Sequence, residues 1–116
     1  MNTEVEFTDE FAEWWDSLKE AEQVSVDAVV RLLEEKGFSL GYPYSSQIKG
    51  SPIAMRELRI QHEGRPFRVL YAFDRRRSAL LLIGGDKTGN ARWYEEFVPR
   101  ANKIYEQHLR ELGGES

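Results

Sequence analysis

The residues best placed to do chemistry are two arginines in adjacent strand-like runs, Arg59 and Arg68, with a lysine after the next run, Lys87. Ala54 to Gln61, Pro66 to Asp74 and Ser78 to Gly84 read as three strands, separated by His62-Glu63-Gly64-Arg65 and by Arg75-Arg76-Arg77. Period-two alternation puts Phe67, Val69, Tyr71 and Phe73 on one face and Arg68, Leu70 and Ala72 on the other. In the preceding run Arg56, Leu58 and Ile60 share one side and Glu57, Arg59 and Gln61 the other, so Arg59 and Arg68 are expected to share a face. Two guanidiniums on a rigid sheet can grip a phosphate bidentately and stabilise charge that develops on it. The same spacing equally allows cross-strand ion pairing with Glu57 or with acids of the first helix. On the polar face of its strand, Arg68 is expected to tolerate truncation with little loss of stability.

Gly84-Gly85-Asp86-Lys87-Thr88-Gly89-Asn90 forms a flexible turn with a lysine at the end of the sheet, beside a helix N-terminus. It lacks the spacing of a phosphate-binding P-loop. Arg92-Trp93-Tyr94 adds a cation and two aromatics able to stack on unpaired bases, with the core the expected fate of one of the two rings. Arg75-Arg76-Arg77 reads as a solvated turn. His62 falls in a hairpin turn and His108 late in a helix, without a visible nucleophile or carboxylate partner, and neither is assigned a role.

The elements that position these residues follow from periodicity. Val5 and Phe7 alternate with Glu4 and Glu6 as a short strand. Thr8 caps a helix that begins with Asp9 and Glu10 and carries Phe11, Trp14, Trp15 and Leu18 on one face. A second helix runs from about Glu22 to Lys36 with Gly37 as its C-cap. Residues 37–53, rich in Gly, Pro, Ser and Tyr, read as a long loop. After the 54–86 meander, Asn90 caps a last helix over 90–112, which Pro99 kinks or divides. The expectation is a single α+β domain over residues 1–116: a strand plus helical hairpin in 1–36, an antiparallel sheet of about four strands, and a C-terminal helix.

Four prolines, 41% hydrophobic and 31% charged residues mark a globular chain. No apolar run has membrane-spanning length and the N-terminus lacks the pattern of a signal peptide, so a cytoplasmic location is expected. No cysteine and only two separated histidines argue against a structural metal or other cofactor. The net charge of −4 hides an asymmetry. Residues 1–35 hold eleven acids against Lys19 and Arg31, a net −9, whereas residues 47–92 hold ten bases against Glu57, Glu63, Asp74 and Asp86, a net +6. Local potential steers a polyanion, so nucleic acid is expected on the second half alone.

The strings Arg56-Glu57-Leu58-Arg59, Phe67-Arg68-Val69-Leu70-Tyr71-Ala72-Phe73-Asp74 and Gly84-Gly85-Asp86-Lys87, in this order of elements, resemble the RelE/HigB-type toxins of bacterial type II toxin-antitoxin systems, in particular their phage-related HigB-like branch. The resemblance extends from Phe11 and Trp14 through Ile48-Lys49-Gly50-Ser51 to Trp93-Tyr94 and the last helix. It implies a helical hairpin packed on a twisted antiparallel sheet, and ribosome-dependent cutting of messenger RNA in which the ribose 2′-hydroxyl attacks the adjacent phosphate without a metal. Carried over by position, Arg59 and Arg68 would hold the phosphate, Lys87 would assist proton transfer or neutralise charge, and Tyr94 would orient a base. Lys49, Arg56, Arg92 and Trp93 are the expected RNA contacts, and no residue suggests itself as general base. The implied partner is an antitoxin, typically a HigA-like helix-turn-helix protein, expected to bind across the chain and block the basic surface directly or by holding a segment away from it. Two other functions fit the same fold: inhibition of DNA gyrase by binding, as in the related ParE-like toxins, and an inactive domain that only pairs with an antitoxin. Retention of Arg59, Arg68 and Lys87 favours RNA cutting.

Overall fold

The computed structural model describes residues 2–113. Its chain order is β1 (Val5–Phe7), α1 (Asp9–Asp16), α2 (Glu20–Lys36), a 3₁₀ turn (Gly37–Ser39), β2 (Ser45–Gln47), β3 (Arg56–His62), β4 (Arg65–Phe73), β5 (Ala79–Asp86) and α3 (Trp93–Gly113). The strands form one sheet in the order β1-β5-β4-β3-β2, antiparallel except for the parallel pair β1 and β5. There are therefore five strands, where sequence suggested about four. The added one is β2, inside the segment read as loop, which pairs Ser46 with Glu57.

Thr8 caps α1 as expected: its Oγ1 accepts from the Phe11 N–H at 3.0 Å and donates to the Leu82 carbonyl at 2.6 Å, tying the helix to β5. Gly84 makes the tight packing of α1 possible, since a Cβ there would lie 2.3 Å from the Trp14 ring. Helix α2 begins two residues earlier than its apolar stripe suggests, because Glu22 folds back to accept from the Lys19 N–H at 2.7 Å. At the other end, Gly37 takes a φ of +55° as the chain leaves α2.

Alternation divides the sheet between two cores. Leu58, Ile60, Phe67, Val69, Tyr71 and Leu81 face Phe11, Val26, Val29 and Leu33 of α1 and α2. On the opposite face Leu70, Ala72, Leu80, Leu82 and Ile83 meet Trp93 and Ala101 of α3. A register shift between Leu70 and Tyr71, which skips Leu82, leaves the consecutive residues Leu82 and Ile83 in the same core. Helix α3 starts at Trp93, later than expected, because Asn90 closes a turn instead: its Oδ1 accepts from the Arg92 N–H at 3.0 Å. Pro99 lies inside α3, exposed, where water can satisfy the carbonyl it leaves unpaired. No helix among the described residues is long and apolar enough to cross a membrane.

Candidate functional site

Arg59 and Arg68 are direct register partners across β3 and β4, and Gly85 lies opposite Arg68 on β5. They share the face that carries α3, which covers part of it. Between them stands Glu57, two residues before Arg59 on the same side of β3. Glu57 is 5% exposed, and its carboxylate is the hub of the site. Oε1 accepts from the Tyr94 hydroxyl at 2.5 Å and lies 3.5 Å from Arg68 Nε. Oε2 accepts from Ser46 Oγ at 2.6 Å and from Arg59 at 3.3 Å. Four donors from β2, β3, β4 and α3 thus converge on one buried anion, as its burial demands. Cross-strand ion pairing, one of the two outcomes the spacing allowed, is therefore present, and both arginines are engaged by it.

Arg68 is itself 6% exposed and also donates to its neighbour's carbonyl on Phe67 at 3.0 Å and to Tyr94 Oη at 3.3 Å. Arg59 is more open and lies with its guanidinium 5.2 Å from the centre of the Tyr42 ring. Tyr42, 77% exposed, is an aromatic that the sequence reading passed over; the Gly-Tyr-Pro-Tyr run was its only signal. Lys87 is held by its backbone N–H to the Pro66 carbonyl at 3.0 Å, and its Nζ sits 5.7 Å from the centre of the Tyr94 ring. Burial first, and then the carboxylate of Glu57, raise the Tyr94 phenol above its ordinary value, so it serves as a neutral hydrogen-bond donor. Arg59, Arg68, Lys87 and Tyr94 are thus brought together, with Glu57 and Ser46 added. Glu57 was visible on the Arg59 side of its strand, but its centrality depends on β2 and α3 folding over it.

The other expected contacts separate. Lys49 is exposed and lines a shallow cleft with Gln47, Glu57, Tyr94, Val98 and Pro99, adjoining the hub. Arg92 is exposed and pairs with Glu95 at 3.2 Å. Arg56 is a correction: it lies on the α1 and α2 side, donating to Ser45 Oγ, Tyr71 Oη and the Leu40 carbonyl, away from the arginine pair. Trp93 is a second correction. It is 1% exposed and stacked on Phe97 at 4.5 Å, filling the space left by Gly85, so no base can reach its face. Both histidines have partners that sequence did not reveal: His62 Nδ1 meets Ser25 Oγ at 2.7 Å, and His108 Nε2 lies 3.3 Å from Asp74. They join α2 and α3 to the sheet. Glu6, Asp74 and His108 form a possible ligand trio among the described residues, but the Arg76 guanidinium bonds both carboxylates at 2.7 Å and supplies the positive charge.

Residues 13–106 match the family described as Phage derived protein Gp49-like (DUF891). Over 104 residues the chain is 40% identical to "Putative toxin HigB3" of Mycobacterium tuberculosis, covering 87% of this chain and 90% of that one. It is 35% identical over 102 residues to "Putative toxin HigB2" of the same organism, covering 85% of this chain and 51% of that one, about half its length. The fold is similar to that of a mutant of E. coli toxin RelE in the free state, with a TM-score of 0.61 over 86% of this chain and 98% of that one. At 15% identity that likeness concerns the fold. The family match and the relatives at 40% and 35% identity, both named as HigB toxins, show that the chain belongs to the phage-derived Gp49-like family.

Proposed function

We propose that this chain is the toxin of a type II toxin-antitoxin system and acts as a metal-independent endoribonuclease on messenger RNA held by the ribosome. The observation that carries the proposal is the pairing of Arg59 with Arg68 on a rigid sheet, both gathered round one carboxylate within reach of Tyr94. A carboxylate between two guanidiniums occupies the kind of position a phosphate would take. The scissile phosphate displaces Glu57 from the arginines, and the released carboxylate becomes an acceptor for the ribose 2′-hydroxyl proton. The 2′-oxygen then bonds to phosphorus as the P–O5′ bond breaks, leaving a 2′,3′-cyclic phosphate and a 5′-hydroxyl. Arg59 and Arg68 stabilise the charge on the phosphoryl oxygens. Lys87 protonates the departing 5′-oxygen, and Tyr94 orients the carboxylate and the neighbouring base. Lys49 and Arg92 contact flanking phosphates.

The partner on this reading is a cognate antitoxin, a HigA-like helix-turn-helix protein. A second reading, a domain that binds the antitoxin without cutting RNA, draws on the same ion pairs, since Glu57 engages both arginines and neutralises half of their charge. Ribosomes programmed with a defined messenger decide between the two. Wild type, stripped of metal by chelator and desalted before it is added to the ribosomes, is expected to give fragments ending in cyclic phosphate, and Glu57→Gln is expected to stop cutting with the fold intact. Intact messenger with untreated wild type would leave the binding domain as the function; loss of cutting by the stripped protein that an added transition metal restores would overturn the metal-free route.

A further inference from the structure

The acidic first third of the chain has no part in the site just described, yet it frames a second surface at the opposite edge of the sheet. Strand β1 is the last strand beyond β5. The Glu4 carbonyl and the Thr8 N–H bond to β5. By the alternation of a parallel ladder, the backbone groups of Val5 and Phe7 therefore point outward, away from the sheet. Beside that edge runs an apolar groove floored by Val5, Phe11, Trp15, Val30 and Leu81, with Phe7 63% exposed at its rim. Asp16, Asp27 and Glu34 border it, within a stretch whose net charge is −9 over residues 1–35. An open strand edge, a greasy groove and an acidic border together specify what can lie there.

We propose that this edge docks an extended segment of a partner protein in which apolar residues alternate with lysines or arginines. The segment pairs with β1 as a sixth strand, sets its apolar side chains in the groove and presents its cations to Asp16 and Glu34, Asp27 being already paired with Arg31 at 2.7 Å. The acidic border repels RNA and anionic lipid, so it selects a basic peptide over either. On the toxin reading, on which this identification rests, the segment belongs to the antitoxin. The antitoxin then grips the edge and face opposite to Arg59 and Arg68, in contrast to direct cover of the basic surface. The acidic half is thereby a docking half and the basic half a working half.

The test uses the full chain and a labelled ten-residue peptide of alternating lysine and valine, with the same residues rearranged as a lysine block and a valine block for control. Fluorescence anisotropy is expected to show the alternating peptide binding at least about tenfold more tightly than the block peptide. Hydrogen exchange is expected to show new protection at the Val5 and Phe7 amides. Phe7→Asp should abolish both signals, and Asp16→Lys/Glu34→Lys should weaken binding, while Arg68→Ala leaves it unchanged. Phe7 is largely exposed, so its substitution spares the core. Equal binding of the two peptides, or protection elsewhere than β1, would overturn the proposal. So would a chain that is dimeric alone and becomes monomeric on Phe7→Asp, because a second copy would then be the occupant. In cells, Phe7→Asp should kill as wild type does yet escape rescue by the antitoxin, and normal rescue would refute the docking site. If wild type fails to kill, the toxin reading falls, while the peptide measurements still decide whether β1 is a docking edge.

Discussion

Removal of Arg68 separates what holds the site together from what the site does. Arg68 and Glu57 have side chains only 8% and 7% exposed, with Nε and Oε1 3.5 Å apart. At an effective dielectric constant of about 20 their attraction is on the order of 5 kcal/mol before desolvation is subtracted. Taking away one partner of a buried pair typically costs about 3–5 kcal/mol, because the other charge is left stranded. Glu57 would keep Arg59, Ser46 and Tyr94 as donors, so Arg68→Ala belongs at the low end, about 3 kcal/mol. That corrects the expectation of a small loss, which took Arg68 to be solvent-facing. For a chain of this size the midpoint of thermal unfolding should fall by roughly 12 °C. Adding Glu57→Gln removes the stranded charge and keeps hydrogen-bonding capacity, so Arg68→Ala/Glu57→Gln should regain about half of the loss. Cleavage should not return: one preorganised donor to a developing oxyanion is worth about 10²–10³ in rate. Urea unfolding of the four proteins, with cleavage of programmed messenger, gives both numbers. An Arg68→Ala protein within about 1 kcal/mol of wild type would show that the pair does not hold in solution. A double mutant that regains cutting would show that neither the Arg68 guanidinium nor the Glu57 carboxylate is needed for cleavage.

Trp93→Phe should leave cleavage unchanged and shift stability by less than about 1 kcal/mol, since lost packing is offset by removal of a buried indole N–H that has no partner; a large loss of cutting would restore Trp93 as an RNA contact. Gly84→Ala should destabilise by about 1–3 kcal/mol, read as a lower urea midpoint, because its Cβ would meet the Trp14 ring at 2.3 Å; an unchanged midpoint would mean that α1 is not seated on β5 as described. Burial alone would raise Asp74, but hydrogen bonds from Arg76, His108 and the N–H groups of Arg76 and Ser78 outweigh it and hold the carboxyl below its ordinary value of 3.8. A depressed folded value means that the unfolded chain takes up protons first, so this stability is complete above 3.8 and disappears as pH falls through the folded value. Asp74→Asn should therefore flatten the acid limb of a stability-against-pH curve, and an unchanged limb would contradict the assignment. Tyr94, raised above 10.0, should titrate late in an ultraviolet difference spectrum and shift back toward that value in Glu57→Gln.

What sequence made legible was whatever depends on one element at a time. The β4 alternation separated Phe67, Val69 and Tyr71 from Arg68 and Leu70, and the structure divides them between the two cores in that way. Thr8 with Asp9 and Glu10 marked the start of α1 because a cap needs only neighbours within one turn. Strand β2 escaped notice for the opposite reason: Ser45-Ser46-Gln47 has neither apolar alternation nor β-branched residues, and it is a strand only because β3 offers it a ladder. The parallel pairing of β1 was equally hidden, since it depends on a contact as distant in sequence as Thr8 to Leu82.

The same distinction explains why the arginines stood out while Glu57 was legible only as one of several ion partners the spacing allowed. A cation on the polar face of a strand announces itself, because few structural needs put two guanidiniums side by side. A glutamate in the same pattern looks like any solvated residue until other elements bury it, and for Glu57 the burying groups come from β2, β4 and α3. Once buried, its charge requires donors, and the donors nearest to hand are those that a phosphate would use. Stability of the free chain and readiness for an anionic substrate are therefore set by one arrangement. The free protein keeps its arginines ordered by giving them Glu57. On the proposed mechanism, a substrate phosphate would replace that carboxylate, would meet donors already oriented, and would free a base to accept the proton.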